Sequence, residues 1–245
     1  MIFTNELWPG GPCFKEIDGV FRIGADSVLL SHFAIAAHRK IKRAADLGCG
    51  SGIISVLLAF DSPDLHVDAV EADPTAVLLA AENVRTCGLS ERITVIEGDL
   101  RMHRDFLRAG SYDLVVSNPP YFKNGSGKAA SNKKLAAARG ELQCTLDDIC
   151  VSAGYLSRWG GSFALVHKPE RLAEVFRALS AAGLEPKRLK FVQHTQSSPP
   201  SLVLIESKRG GKPSLTVETP LILKNEDGSD TEVIRAMYRR QESDL

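Results

Sequence analysis

Asp46-Leu47-Gly48-Cys49-Gly50-Ser51-Gly52 stands between the short apolar run Ala44-Ala45-Asp46-Leu47 and a longer one from Ile53 to Phe60. The first run has the length of a buried strand and the second that of an apolar helix. A glycine-rich turn from strand to helix lets the backbone bend sharply and approach a ligand closely. The dinucleotide-binding turn has the order G-x-G-x-x-G. Here the third glycine, Gly52, comes one residue early, and Asp46 precedes the first glycine by two positions.

Outward from this turn, strands and helices alternate. His66–Glu71, Ile93–Ile96 and Tyr112–Val116 read as strands, and Ser162–His167 as a further one. A helix starts at Pro74 and stops before Gly88, the residue types favoured at those ends. Thr145-Leu146-Asp147-Asp148 resembles a capping box with Asp in place of Glu, opening a helix that is expected to end at Gly160-Gly161. Another helix spans 169–182. Two last strands near Lys190–His194 and Leu202–Glu206 lie too close together for a helix between them, so that end of the sheet reads as antiparallel. Before the turn, Cys13–Ile23 reads as a hairpin around Asp18-Gly19. A helix capped by Asp26 or Ser27 follows, burying Val28, Leu29, Leu30 and Phe33. The fold class is therefore α/β, Rossmann-like: a mostly parallel seven-stranded sheet with helices on both faces and an N-terminal hairpin. Residues 1–245 read as one domain, with the hairpin and helix in 1–40, the core in 41–245, and a polar, basic, mobile loop at 122–142.

Composition sets outer bounds. Of 245 residues, 44% are hydrophobic and 24% charged, with 30 basic against 30 acidic, so the chain is neither disordered nor a uniformly basic nucleic-acid binder. No apolar run approaches a membrane span of about 20 residues. The start carries no basic stretch of a secretory signal, so the expected location is the cytoplasm. Five cysteines without C-x-x-C and six histidines without H-E-x-x-H predict neither a disulfide framework nor a metal site.

The D-x-G-x-G-x-G form at Asp46, Gly48, Gly50 and Gly52 resembles the S-adenosylmethionine loop of class I methyltransferases. That ligand has no phosphate but carries an ammonium and a sulfonium, and an acid such as Asp46 suits those cations. Glu71 ends the second core strand about 20 residues on, where an acid accepts from ribose hydroxyls. Glu97-Gly98-Asp99-Leu100 ends the third. The resemblance implies that Asp99 accepts the adenine amino group of the cofactor and that Leu100 packs on its ring.

Ser117-Asn118-Pro119-Pro120-Tyr121-Phe122 follows the fourth core strand. Chance produces Asn-Pro-Pro-Tyr on the order of once per thousand chains of this length. An exocyclic amino or amide nitrogen is a poor nucleophile, because its lone pair is delocalised. The Asn118 side-chain oxygen and the Pro119 carbonyl can accept its two N–H groups and favour a geometry that frees the pair. Pro119 and Pro120 stiffen the turn, and Tyr121 offers a face for a planar substrate. Asn118, Pro119, Pro120 and Tyr121 are the candidate catalytic residues, with Asn118 also beside the cofactor. Tyr121, Phe122, Lys123 and Arg139 are the candidate substrate contacts. Pro12-Cys13 is the pair used by cytosine-C5 methyltransferases, but it stands before the cofactor loop, and Cys13 reads as structural.

Asn-Pro-Pro-Tyr enzymes methylate adenine N6, guanine or cytosine amino groups, or a glutamine amide of release factors. The whole chain resembles the bacterial adenine-N6 methyltransferases that act at position 37 of a valine tRNA. The resemblance runs from Phe21–Leu30 through Asn118–Phe122, Arg139-Gly140-Glu141, Glu185–Leu189 and Leu204–Gly211 to Asn225–Gly228 and Met237-Tyr238. It implies an enzyme using S-adenosylmethionine on the anticodon loop of tRNA, monomeric or weakly dimeric. Ala25 departs from the Thr, and Gly140 from the His, common in that family. The alternatives are a release-factor glutamine N5-methyltransferase or an amino-group methyltransferase on another RNA base. Only about 40 residues precede the cofactor loop, too few for the extra helical domain of the release-factor enzymes. Three basic groups are expected to meet RNA phosphates. They are Lys123, Lys128, Lys133, Lys134 and Arg139; Lys187, Arg188, Lys190, Lys208, Arg209 and Lys212; and Arg39, Lys40, Lys42 and Arg43.

Overall fold

The stretches 44–47, 114–116 and 161–167 are buried at every position, which suits a sheet covered on both faces. The computed structural model describes residues 2–17, 23–38, 40–120 and 144–239. An antiparallel pair, β1 (Ile2–Glu6) and β2 (Cys13–Ile17), comes first. Helix α1 (Ala25–Ala36), β3 (Arg43–Leu47), α2 (Ile53–Asp61), β4 (His66–Glu71), α3 (Pro74–Thr86), β5 (Ile93–Glu97) and β6 (Tyr112–Ser117) follow. After residue 143 come α4 (Leu146–Leu156), β7 (Ser157–His167), α5 (Leu172–Ala181), β8 (Leu184–Gln193) and β9 (Pro200–Arg209). Two-residue strands β10 (Thr216–Val217) and β11 (Leu221–Ile222) and helix α6 (Glu232–Met237) complete the described chain.

Seven strands lie in the order β5-β4-β3-β6-β7-β9-β8, and β10 and β11 extend the β8 edge. β9 runs antiparallel to both its neighbours, as the spacing near the end of the sequence predicts. Alternation along each strand divides the core between the two faces. Ala44, Leu114, Val116, Ala164 and Val166 pack with Leu29, Phe33, Val56 and Leu57 of α1 and α2. Ala45, Leu47, Val115, Phe163 and Leu165 pack with Ile149, Ala153 and Leu156 of α4 and with Val175 and Leu179 of α5.

Several local expectations are modified. The hairpin is present, but its arms are 2–6 and 13–17, joined by 7–12; the Asp18-Gly19 turn lies outside the described residues. Gly24, with no side chain to cap with, occupies the N-cap of α1 in place of Asp26 or Ser27. Helix α4 ends at Leu156, not at Gly160-Gly161, and Ser157 already pairs with Tyr112 of β6. The two glycines belong to an irregular start of β7: Gly160 has φ 74°, and a Cβ on Gly161 would stand 2.9 Å from the carbonyl oxygens of Arg158 and Tyr112. Thr145 does form the capping box, its hydroxyl accepting from the Asp148 N–H while the Asp148 carboxylate accepts from the Thr145 N–H.

Candidate active site

Parallel strands end together, so the turns after β3, β4, β5 and β6 meet along one edge of the sheet. A cavity of about 620 Å³ opens there. Leu47 and Gly48 follow from β3, Val70 to Asp73 from β4, Glu97 to Arg101 from β5, and Ser117 to Pro120 from β6. Cys144 and Ile149, before and in α4, close one side. This volume is within the usual range for a small-molecule site.

The glycine turn needs its glycines. Gly48, Gly50 and Gly52 have φ of 73°, 55° and 81°, the left-handed region that side chains disfavour. Glu71 holds this turn from the neighbouring strand. One of its oxygens accepts from Gly50 N at 2.9 Å, and the other from Ala72 N and Asp73 N at 2.8 and 2.9 Å. At the next strand end, Asp99 accepts from the Arg101 backbone N–H and from its guanidinium. That guanidinium holds the Asp99 carboxyl below the usual carboxylate range. Gly98 leaves room for Phe106, whose ring would be 2.6 Å from a Cβ there.

Asp46 is placed differently from the sequence reading. It does not line the cavity; it is fully buried under the turn. Strand alternation explains this, because Ala44 and Asp46 share the face that α2 covers. One carboxylate oxygen accepts from Ser55 Oγ at 2.7 Å and Ser55 N at 3.1 Å, joining β3 to the first turn of α2. The other has no hydrogen-bond partner among the described residues. Burial raises the Asp46 pKa to about 7, against the lowering effect of the Ser55 bonds. Gly50 and Gly52 likewise lie outside the cavity lining. Gly50 hands its N–H to Glu71, and Gly52 lets α2 pack 3.3 Å from Ala80 of α3, measured from the Cβ position it lacks.

At the end of β6, the buried Ser117 hydroxyl donates to Leu47 O at 2.7 Å, tying the two central strands together beneath the cavity. Asn118 Nδ2 donates to Ser27 Oγ of α1 at 3.0 Å. Asn118, Pro119 and Pro120 therefore share the cavity wall with Glu71, Asp99 and Leu100. Tyr121, Phe122, Lys123 and Arg139 lie outside the described residues.

Residues 15–145 match the methyltransferase small domain family. The tRNA1(Val) (adenine(37)-N6)-methyltransferase of Tolumonas auensis is 35% identical, over 84% of this chain and 83% of its own. This chain belongs to that methyltransferase family. A second member, from Dickeya chrysanthemi, is 30% identical over 96% of this chain and 95% of its own. The fold is also that of a predicted O-methyltransferase from Agrobacterium tumefaciens, with a TM-score of 0.71 at 21% identity, covering 87% of this chain and 95% of that one.

For a member of this methyltransferase family, the basic groups named above are unexpectedly placed. β3 runs from Arg43 toward the cavity, so Lys40, Lys42 and Arg43 sit at the opposite edge of the sheet. Arg43 is paired there with Asp68. Lys208 is level with Ser162 of β7, again away from the cavity. Arg188 pairs with Glu206 and Glu218, Lys190 pairs with Glu218, and Arg209 donates to the carbonyls of Tyr155 and Ser157. None of these residues lines the cavity, because a charge run along the sequence says nothing about where on the sheet it falls. Arg39, Lys123, Lys128, Lys133, Lys134 and Arg139 lie outside the described residues.

The sequence reading missed Ser27, Arg101, Cys144 and Ile149. Cys144 and Ile149 become visible only when α4 packs beside the β5 turn. Burial pushes the Cys144 thiol up to about 12, with Asp148 and Asp99 adding to the effect, so it lines the wall as a neutral group. Arg101 carried a local clue, since a base two residues after an acid can fold back onto it. Among the described residues, no group of His, Cys, Asp and Glu is placed to hold a metal ion.

Proposed function

We propose that this chain methylates the exocyclic N6 of adenine 37 in the anticodon loop of tRNA1(Val), with S-adenosylmethionine as methyl donor. The observation that carries this reading is the meeting of Asn118-Pro119-Pro120 with Glu71 and Asp99 on one cavity wall, in a chain of this family. The cavity fits the donor in size and in the charge of its wall. Glu71 keeps a lone pair beyond its three backbone bonds for a ribose hydroxyl. Asp99 accepts the adenine amino group, and Leu100 and Ile149 pack on the ring. Asp46 acts from beneath, holding the glycine turn to α2.

Bound there, S-adenosylmethionine supplies an electrophilic methyl group. The target adenine leaves the stack of a single-stranded loop to reach it. Asn118 Oδ1 and the Pro119 carbonyl accept the two N6 hydrogens and orient the nitrogen lone pair. The N6–C bond forms as the C–S bond breaks, the bonding pair leaves with sulfur, and one N6 proton passes to water. Positioning is the main catalytic contribution of the protein. Tyr121 and Phe122 hold the base, and Lys123 and Arg139 meet flanking phosphates. The chain works as one domain in the cytoplasm; no described helix is long and apolar enough to cross a membrane.

The test is labelled methyl transfer into unmodified valine tRNA and into a release factor, read by nucleoside and peptide mass spectrometry. N6-methyladenosine at position 37, lost in Asn118→Ala with cofactor binding retained, is the expected result. Methylated glutamine alone, or full transfer by Asn118→Ala, overturns the proposal.

A further inference from the structure

We propose that Ser27, in the first turn of α1, is a positioning residue that sets which way the Asn118 amide faces. The inference rests on the amino-group reading above and adds to it a residue 91 positions away in sequence.

A carboxamide has two unlike ends: its oxygen accepts and its NH2 donates. An exocyclic amino group presents two N–H donors, so only the oxygen end of Asn118 can engage it. Turned by half a rotation, the amide would set its own donors against those of the target. The two ends are nearly equal in size, so shape alone selects weakly between them. A hydrogen bond to a fixed neighbour holds the amide in the orientation in which it is made. Asn118 Nδ2 donates to Ser27 Oγ at 3.0 Å, which turns the donor end onto α1 and Oδ1 away from it. A hydroxyl can also donate, but with Oδ1 on Ser27 the NH2 would face the target amino group, so the reaction needs the direction observed.

Ser27 is held firmly enough to act in this way. Its N–H donates to Asp26 Oδ1 at 3.1 Å and to Gly24 O at 3.2 Å. The next three residues, Val28, Leu29 and Leu30, are buried in the core on the α2 face of the sheet. The hydroxyl is therefore carried by a packed helix, not by a mobile loop. On the other side, Ser117 is fixed to Leu47 O, so the backbone entering Asn118 is held as well. Both ends of the Ser27–Asn118 bond are anchored in packed secondary structure.

The experiment compares wild type with Ser27→Ala, Ser27→Val and Ser27→Thr. Val and Thr share a shape and differ only in the hydroxyl. For each variant, kcat, the KM for tRNA, the cofactor Kd and the Tm are measured. Ser27→Ala and Ser27→Val are expected to lower kcat by about 10- to 100-fold, the loss of one oriented acceptor. Their cofactor Kd and tRNA KM stay within about twofold, and Ser27→Thr regains activity. Ser27→Ala and Ser27→Val with wild-type kcat, or cofactor affinity falling in step with kcat, overturns the inference, as does failure of Ser27→Thr to recover. A substrate-free readout separates this from the function itself. The Asn118 side-chain NH2 resonances, assigned by their loss in Asn118→Ala, are expected to exchange slowly with solvent in wild type and fast in Ser27→Ala. If wild type methylates no adenine yet this exchange pattern holds, the function is wrong and the contact stands. If wild type methylates adenine and the exchange is unchanged in Ser27→Ala, the contact is wrong and the function stands.

Discussion

Asp46→Asn is expected to stabilise this protein at pH 8 and to flatten its stability between pH 4 and 7. Folded Asp46 keeps its proton up to about pH 7, against an ordinary value of 3.8, because burial under the glycine turn disfavours the charge more than Ser55 favours it. Between those two values the folded state binds more protons than the unfolded state. Stability therefore falls as pH rises through that window and levels off above it. The difference between 3.8 and about 7 corresponds to about 4 kcal/mol, the full amount appearing above pH 7. The substituted side chain carries no titrating group and keeps an oxygen for the Ser55 N–H and hydroxyl. Urea unfolding of both proteins from pH 4 to pH 8 measures the difference directly. The two curves should run together near pH 4 and diverge by a few kcal/mol at pH 8, with the variant higher. Parallel curves, or a variant that loses stability at pH 8, would show that folded Asp46 ionises near its ordinary value and refute the burial argument.

Two of the structural contacts yield shorter tests. Asp99→Asn should weaken cofactor binding by about tenfold, seen by calorimetry, since a charged acceptor gives way to a neutral one. Because Arg101 keeps Asp99 ionised below the usual carboxylate range, wild-type cofactor affinity should hold as pH falls to 4 and be lost only further down. Arg101→Ala should move that loss to higher pH, and an unmoved acid limb would exclude the pairing as its cause. Thr145→Ala removes the capping box of α4 and should cost about 1 kcal/mol in chemical denaturation.

Much of the fold could be read from local patterns. Pro74 and Gly88 bracket α3, Thr145 and Asp148 cap α4, and the apolar runs at β3, β4 and β6 are short and doubly buried, as a parallel sheet requires. Errors arose where a residue type has two uses. Gly160-Gly161 reads as a helix end, yet the carbonyls of Tyr112 and Arg158 leave no room for a side chain on Gly161, and the pair belongs to a strand. Cys13–Ile17 is a strand as expected, but its partner is 2–6, because pairing is decided by what else can reach the same edge.

By itself the sequence determined the strand–turn–helix at 46–60, the acids at 71 and 99, and the Asn-Pro-Pro turn at a strand end. These depend on short-range chemistry: glycine's access to positive φ, proline's rigidity, and the fixed direction of parallel strands. Only the tertiary structure decided which side chains face the cavity. It turned Asp46 away onto Ser55, brought Ser27 to Asn118 and Cys144 to the cavity wall, and left Lys40, Lys42, Arg43 and Lys208 off that wall. Side-chain direction follows from strand alternation and helix packing against the sheet. Those are set by contacts between residues far apart in the chain, and no local motif records them.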